Sequence, residues 1–405
     1  MSIYLTPTAN RLHIAFFGRR NAGKSSLINA VTGQDLALVS NIKGTTTDPV
    51  YKAMELLPLG PVVLIDTPGF DDEGELGELR VNKAKQVLNK TDLAVLVVDG
   101  SLPATTLLSA EEELLKTFMI KNIPYIVAIN KFDSESSSCA SVYLYEKLGF
   151  EFLPVSAKTG FNINLLKEKI ASLAADMEPE QQLISDLIKP SDFIVLVVPI
   201  DKAAPKGRLI LPQQQVIRSI LDAGANAITV RETELQQTLS ELGKKPSLVI
   251  TDSQVFAQVS AIVPPEIKLT SFSILFARYK GFLKTSVAGA SALDNLQDGD
   301  KILICEGCTH HRQCDDIGTV KIPQMIKKHS LKEPDFIFSS GGDFPQELSA
   351  FKLIIHCGSC MLNEREIQYR RKLAEENNIP FTNYGITIAH IQGILKRSIE
   401  VFNIE

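Results

Sequence analysis

The order of apolar and amphipathic segments predicts an α/β chain in three parts: a larger N-terminal domain over residues 1–174 and two smaller α/β domains over 175–263 and 264–405. Three observations carry this reading. Apolar runs of strand length, such as Leu93–Val98 and Phe193–Val198, alternate with stretches of helical periodicity. A glycine-containing loop over residues 18–25 stands between a strand-like and a helix-like segment. Cys305, Cys308, Cys314, Cys357 and Cys360 crowd the last quarter while Cys139 stands alone, so the final domain is expected to bear a metal centre. A length of 405 residues also exceeds that of one ordinary domain.

Apolar residues make up 44% and charged residues 22%, an ordinary globular composition. A formal net charge of -5 gives no whole-chain basic footprint, so no nucleic-acid partner is expected. No stretch approaches the length of a membrane span, and the N-terminus lacks the pattern of a cleaved leader. A cytoplasmic protein without membrane contact is the expectation.

Leu12–Phe17 reads as a strand that runs into Gly18, Arg19, Arg20, Asn21, Ala22, Gly23, Lys24 and Ser25. Ser26–Val31 then begins a helical pattern, which is the setting of a phosphate-binding loop. Gly18 and Gly23 permit the tight path that turns amide N–H groups inward, and the helix N-terminus completes the cradle. Lys24 is placed to reach the β- and γ-phosphates and Ser25 to ligate Mg2+. A second strand, Val62–Ile65, ends at Asp66, Thr67, Pro68 and Gly69. Asp66 can hold magnesium through water, and Gly69 can offer its amide to the γ-phosphate. Ile126–Ile129 leads to Asn130, Lys131, Phe132 and Asp133, whose carboxylate can accept both N–H groups of guanine, a pairing adenine cannot reproduce. Ser156, Ala157 and Lys158 follow another short strand and can supply a backbone donor to the guanine carbonyl.

In this order the segments resemble the translation-factor-like branch of small GTPases, which implies a P-loop GTPase domain that converts GTP to GDP and phosphate. The resemblance makes Thr46, in the stretch 44–48, the switch threonine that senses Mg2+ and the γ-phosphate. Phe70 stands where Ras-like enzymes place a water-positioning glutamine, a task no hydrophobic side chain performs. Asn21 with the Gly-Thr-Thr switch resembles the potassium-activated GTPases, in which the asparagine helps hold K+ beside the phosphates. A turn-forming role for Asn21 is the competing reading. Lys24, Asn21, Thr46 and Gly69 are thus the candidate catalytic groups, in an enzyme of weak intrinsic turnover stimulated by potassium. The other candidate nucleotide contacts are Gly18, Ala22, Gly23, Ser25, Ser26, Asp66, Asn130, Lys131, Asp133, Ser156, Ala157 and Lys158.

Phe161–Leu173 reads as the last helix of this domain, and Ala174–Pro190 as a polar linker. Strand-like Phe193–Pro199, helix-like Gln213–Ala223, then Ala227–Val230, Leu235–Leu242 and Ser247–Thr251 form a small α/β unit without a catalytic constellation. Asp201, Lys202 and Lys206 read as a solvated loop. A spacer or dimerisation role suits the segment.

Pro264 and Pro265 mark a break. Beyond it, the strand-like runs Lys301–Cys305 and Phe351–Ile355 each deliver the chain to a cysteine-containing loop. Cys308 and His310 follow the first; His356, Cys357 and Cys360 follow the second. The carboxyl ends of parallel strands are where α/β proteins place sites. Zinc and an iron–sulfur cluster both suit these ligand types.

A potassium-type GTPase domain, an α/β spacer, Cys-x-His and a distant His-Cys-x-x-Cys together resemble the HydF family, the maturation GTPases of [FeFe]-hydrogenase, over essentially the whole chain. The resemblance implies a [4Fe-4S] cluster on Cys308, Cys357 and Cys360, with His310 and His356 as candidates for the fourth position or as neighbours of the cluster. It implies a homodimeric scaffold that receives a transient two-iron precursor from radical-SAM maturases and passes it to immature [FeFe]-hydrogenase. Cys305 is expected to be a buried strand-end residue, with His311 and Cys314 outside the ligand set. The competing reading is a potassium-type GTPase of RNA or ribosome assembly with a structural zinc.

Overall fold

The computed structural model describes residues 8–34, 48–70, 83–101, 109–133, 151–175, 177, 182–200, 209–307 and 316–404. The chain forms two compact units, Met1–Glu178 and Pro179–Glu405. Among the described residues, no helix is long and apolar enough to cross a membrane.

The first unit is built on a six-stranded sheet. Its strands are β1 (Leu12–Phe17), β2 (Val50–Leu56), β3 (Gly60–Asp66), β4 (Leu93–Asp99), β5 (Tyr125–Asn130) and β6 (Phe152–Pro154), in the order β2-β3-β1-β4-β5-β6. All neighbours are parallel except β2, which pairs antiparallel with β3. Every residue of β4 is buried, as its unbroken apolar run requires of a central parallel strand. The inner faces divide into two apolar layers, one around Phe16, Leu64 and Val95, the other around Phe17, Ile65 and Phe118. β1, β3 and β5 therefore open their carboxyl ends on one edge, and the nucleotide motifs follow directly from those ends.

The second unit holds two four-stranded parallel sheets. One contains β7 (Phe193–Val197), β8 (Asn226–Val230), β9 (Leu248–Thr251) and β10 (Lys268–Ser271), ordered β10-β9-β7-β8. The other contains β11 (Lys301–Glu306), β12 (Asp335–Ser340), β13 (Leu353–His356) and β14 (Phe381–Asn383), ordered β12-β11-β13-β14. Counted within each sheet, both orders read second, first, third, fourth. Each fourth strand also ends in a helix cap: Ser271 Oγ accepts from the Ile274 N–H at 3.3 Å, and Asn383 Oδ1 from the Ile386 N–H at 2.8 Å.

Two expectations change here. β10 lies beyond Pro264 and Pro265 yet pairs with β9, so the middle sheet extends past the break read at residue 264. The prolines end only the preceding helix, Phe256–Ile262, and leave the following residues free to pair. The stretch 174–190 is also not a polar linker throughout. Leu183, Ile184 and Ile188 are buried in the core beside Ile194, Leu196 and Phe276, because three apolar side chains among the polar ones have a sheet face to pack on.

Candidate functional site

In the first unit, Gly18 has a φ of 157°, and a Cβ there would sit 2.3 Å from the Val97 carbonyl oxygen. Gly23 has a φ of 92°, and its Cβ would meet Asn130 Nδ2 at 2.2 Å. Asn21 takes a left-handed φ of 60°, so it does turn the loop. The helix Lys24–Thr32 starts at the end of this path. Lys24 is buried, and its ammonium donates to the carbonyl oxygens of Gly18 (2.9 Å) and Arg19 (2.8 Å). Ser26 is half-buried on the same helix.

Ser25 Oγ donates to Asp66 Oδ2 at 2.5 Å, which brings together the two groups expected to serve Mg2+. The other carboxylate oxygen, Asp66 Oδ1, is buried without a hydrogen-bond partner. Burial raises the Asp66 pKa, opposed by the Ser25 hydrogen bond and the Lys24 charge. A divalent cation satisfies that orphaned oxygen, so the residues present fit Mg2+. Gly69 is half-buried, and Phe70 packs its ring against the layer around Phe17 and Phe118.

Asn130 joins the phosphate loop to the segment of Ala157. Its Nδ2 donates to the Ala22 carbonyl at 3.0 Å, while its Oδ1 accepts from the Ala157 N–H at 3.1 Å. Ser156 Oγ donates to Asp133 Oδ1 at 2.5 Å and aims an exposed carboxylate. Lys131, at φ 66°, places its ammonium 2.5 Å from Asp99 Oδ2. Lys158 is exposed. The structure thus ties Asn130 to Ala157 and Ser156 to Asp133. Thr46 lies outside the described residues.

In the second unit, β11 and β13 are adjacent, and Cys305 pairs with His356 at their carboxyl ends. Cys305 is fully buried, and burial pushes its thiol up to about 12, which suits the expected strand-end role. Cys357 and Cys360 are half-buried cysteines on the loop after β13. Cys357 Sγ accepts the Gly307 N–H at 3.0 Å and the Ser359 N–H at 3.4 Å. Ser359 sits at a φ of 58°, which turns its amide back toward that sulfur. Burial raises the Cys357 pKa, and the two N–H groups oppose the rise. A half-buried Cys-x-x-Cys whose sulfur already collects backbone N–H bonds fits a thiolate-ligated cluster. Cys308 follows Gly307 in sequence but, with His310, His311 and Cys314, lies outside the described residues; so do Cys139, Asp201, Lys202 and Lys206.

His356 lies beside the cysteine loop, as the second of its two expected roles allows. It is fully buried, its Nδ1 lies 3.1 Å from both the Cys357 carbonyl and Ser359 Oγ, and its Nε2 lies 3.0 Å from Arg370 Nη1. Both ring nitrogens are engaged within the protein, so in this geometry His356 orients the loop instead of offering a nitrogen to iron. Arg370 also donates to Glu366 and to the Gly341 carbonyl, each at 2.6 Å. No motif marks this arginine, although its helix, Glu364–Glu376, follows the cysteine loop. Asp294, His329 and His390 were likewise unsignalled; they meet as a triad of metal-ligand types in the same unit.

Comparison with known proteins matches the chain in three stretches. Residues 13–131 match the family model of the 50S ribosome-binding GTPases. Relatives include GTPase Der of Wolinella succinogenes, 34% identical over 170 residues, and tRNA modification GTPase MnmE of Desulfotalea psychrophila, 35% identical over 157. These alignments cover 40% and 38% of this chain but only 35% and 32% of the relatives, so the chain spans about a third of their length. Among solved structures, a probable GTP-binding protein engB is 28% identical, with 40% of this chain and 99% of that one covered and a TM-score of 0.34. An Era variant of Aquifex aeolicus bound to GDP.AlF4- is 22% identical, with 54% and 92% covered and a TM-score of 0.35. Residues 183–281 match the hydrogen maturase F dimerization domain, and 284–401 its tetramerization domain. Those two matches support oligomeric assembly. Standing in tandem behind a P-loop GTPase domain, they show that the chain belongs to the hydrogen maturase F family.

Proposed function

We propose that this chain is a GTPase scaffold and carrier that receives a two-iron precursor and delivers it to immature [FeFe]-hydrogenase. The observation that carries the reading is the Cys357–Cys360 loop, fed by N–H groups from Gly307 and Ser359, in a chain that also matches a GTPase family model over residues 13–131. Cys308, Cys357 and Cys360 would hold a resident [4Fe-4S] cluster. When bound, that cluster supplies an iron with one position not taken by cysteine, to which a precursor can attach and from which it can leave. The protein's part would be to hold the thiols on loops that follow strand ends and to shield them, their protons being released to solvent on loading.

In the GTPase domain, Lys24 and the loop amides bind phosphates, Ser25 and Asp66 hold Mg2+, and Asp133 selects guanine. Asn21 holds K+ beside the phosphates, Thr46 and Gly69 answer to the γ-phosphate, and nucleotide state regulates docking through the switches. The radical-SAM maturases are the donors of the precursor, a homodimer is the working unit, and the reduced thiols call for the cytoplasm.

Anaerobic purification followed by iron, sulfide and zinc quantification tests the cofactor. Iron and sulfide lost in Cys357→Ser and Cys360→Ser, with GTP hydrolysis retained, is the expected result. Stoichiometric zinc without iron would overturn it. Carriage is tested by activating immature hydrogenase with protein loaded by the maturases; activation by unloaded protein refutes the carrier role. Equal turnover in Na+ and K+ removes Asn21 from its assignment.

A further inference from the structure

Asp294, His329 and His390 come from three separate elements of the second unit. Asp294 lies in the short turn Ser291–Asn295, His329 near the end of the helix Ile322–Ser330, and His390 near the end of the helix Tyr384–Ile391. Separations of 35 and 96 residues from Asp294 leave no spacing motif in the sequence. In space the ligand-type atoms all fall within 4.8 Å of one another. His329 Nε2 is 2.8 Å from Asp294 Oδ1, and His390 Nε2 is 3.0 Å from both carboxylate oxygens. The two imidazole rings stand edge to face, with centroids 5.8 Å apart.

Two histidines that present the same ring nitrogen to one carboxylate form a compact donor set. Each Nε2 can become a metal donor when its proton is displaced, and the shared carboxylate needs little rearrangement to become the third ligand. We propose that Asp294, His329 and His390 form a binding site for a divalent first-row transition metal of the zinc class. Two nitrogens and one oxygen suit such an ion, whereas Ca2+ and Mg2+ take oxygen shells and an iron–sulfur cluster requires thiolates. The exposed Asp294 side leaves room for water to complete the coordination. A bound ion ties together three segments distant in sequence and so closes long loops in the folded chain. The site is independent of the cysteine-cluster reading, since it shares no residue with it.

Co2+ is the probe, because it reports its donors through its spectrum. The full chain, freed of metal by chelation, is titrated with Co2+ alongside the Cys357→Ser/Cys360→Ser, His329→Gln/His390→Gln and Asp294→Asn variants. One thiolate-free Co2+ per chain, shown by weak visible bands, is expected in wild type and in the cysteine variant. The histidine variant should lose that ion, and Asp294→Asn should weaken it by at least the roughly 10–100-fold that follows loss of an outer partner. A circular dichroism spectrum and a urea unfolding transition retained by each metal-free variant show that the variants fold. A histidine variant that keeps the thiolate-free ion, an Asp294→Asn variant of unchanged affinity, or a wild type that binds Co2+ only through thiolates would each overturn the proposal.

Discussion

Arg370 Nη1 lies 3.0 Å from His356 Nε2, and both side chains are buried. A guanidinium can only donate, so His356 Nε2 is an acceptor there. The Cys357 carbonyl, 3.1 Å from Nδ1, can only accept, so that nitrogen carries the ring proton. One neutral tautomer is thereby fixed. Burial, with the Arg370 charge adding to it, lowers the His356 pKa from 6.5 to about 3.

A pH dependence of stability follows. Between about 3 and 6.5 the unfolded chain binds a proton at His356 that the folded chain refuses. The stabilisation from the neutral ring is therefore complete above 6.5 and declines as pH falls toward 3. From pH 6.5 to pH 5 this group alone removes about 2 kcal/mol. Urea denaturation across that range should show the decline in wild type and a shallower one in His356→Gln.

Arg370→Met leaves Glu366, the Gly341 carbonyl and His356 Nε2 without their shared donor. Removing one member of a buried charge pair costs about 3–5 kcal/mol. The urea midpoint of the second unit should fall accordingly, and Arg370→Met/Glu366→Gln should recover part of the loss.

Gly23→Ala sets a side chain against Asn130 Nδ2 and strains a φ of 92°. A strain of about 1–3 kcal/mol corresponds to roughly 5–150-fold weaker nucleotide binding. Fluorescent GDP titration should show that loss while Gly33→Ala, whose Cβ would meet nothing within 4 Å, leaves the affinity far closer to wild type.

Thiol chemistry should separate the cysteines. Cys305 is buried with its thiol pushed to about 12, whereas Cys357 and Cys360 are half-buried. Iodoacetamide at pH 8 on metal-free protein should label the peptide carrying Cys357 and Cys360 well before Cys305, as read by mass spectrometry. Unfolding in urea should equalise the rates.

Much of the first unit was legible because its central strands are continuous apolar runs and its nucleotide groups sit directly after them. β1 matches its expected span of Leu12–Phe17 residue for residue. β2 was missed because an edge strand with exposed Tyr51 and Lys52 carries no such run. Pro264 and Pro265 suggested a border that four residues of β10 cross, since sheet pairing is not visible in local composition. The loop of Cys357 and Cys360 was readable from spacing. Arg370 was not, because a charged residue on a polar helix gives no sign of being 1% exposed. The triad of Asp294, His329 and His390 depends wholly on how three distant segments meet.

The matching strand order of the two C-terminal sheets makes their third strands counterparts. After β9 the chain enters a turn in which the Asp252 side chain accepts from the Gln254 N–H. After β13 it enters the loop that bears Cys357 and Cys360. The same scaffold position thus ends in a self-capped polar turn in one half and in paired thiols in the other. Two sheets that share a strand order can change separately: residues of the cysteine loop can change to suit a different metal centre while the Asp252 turn continues to close its own sheet.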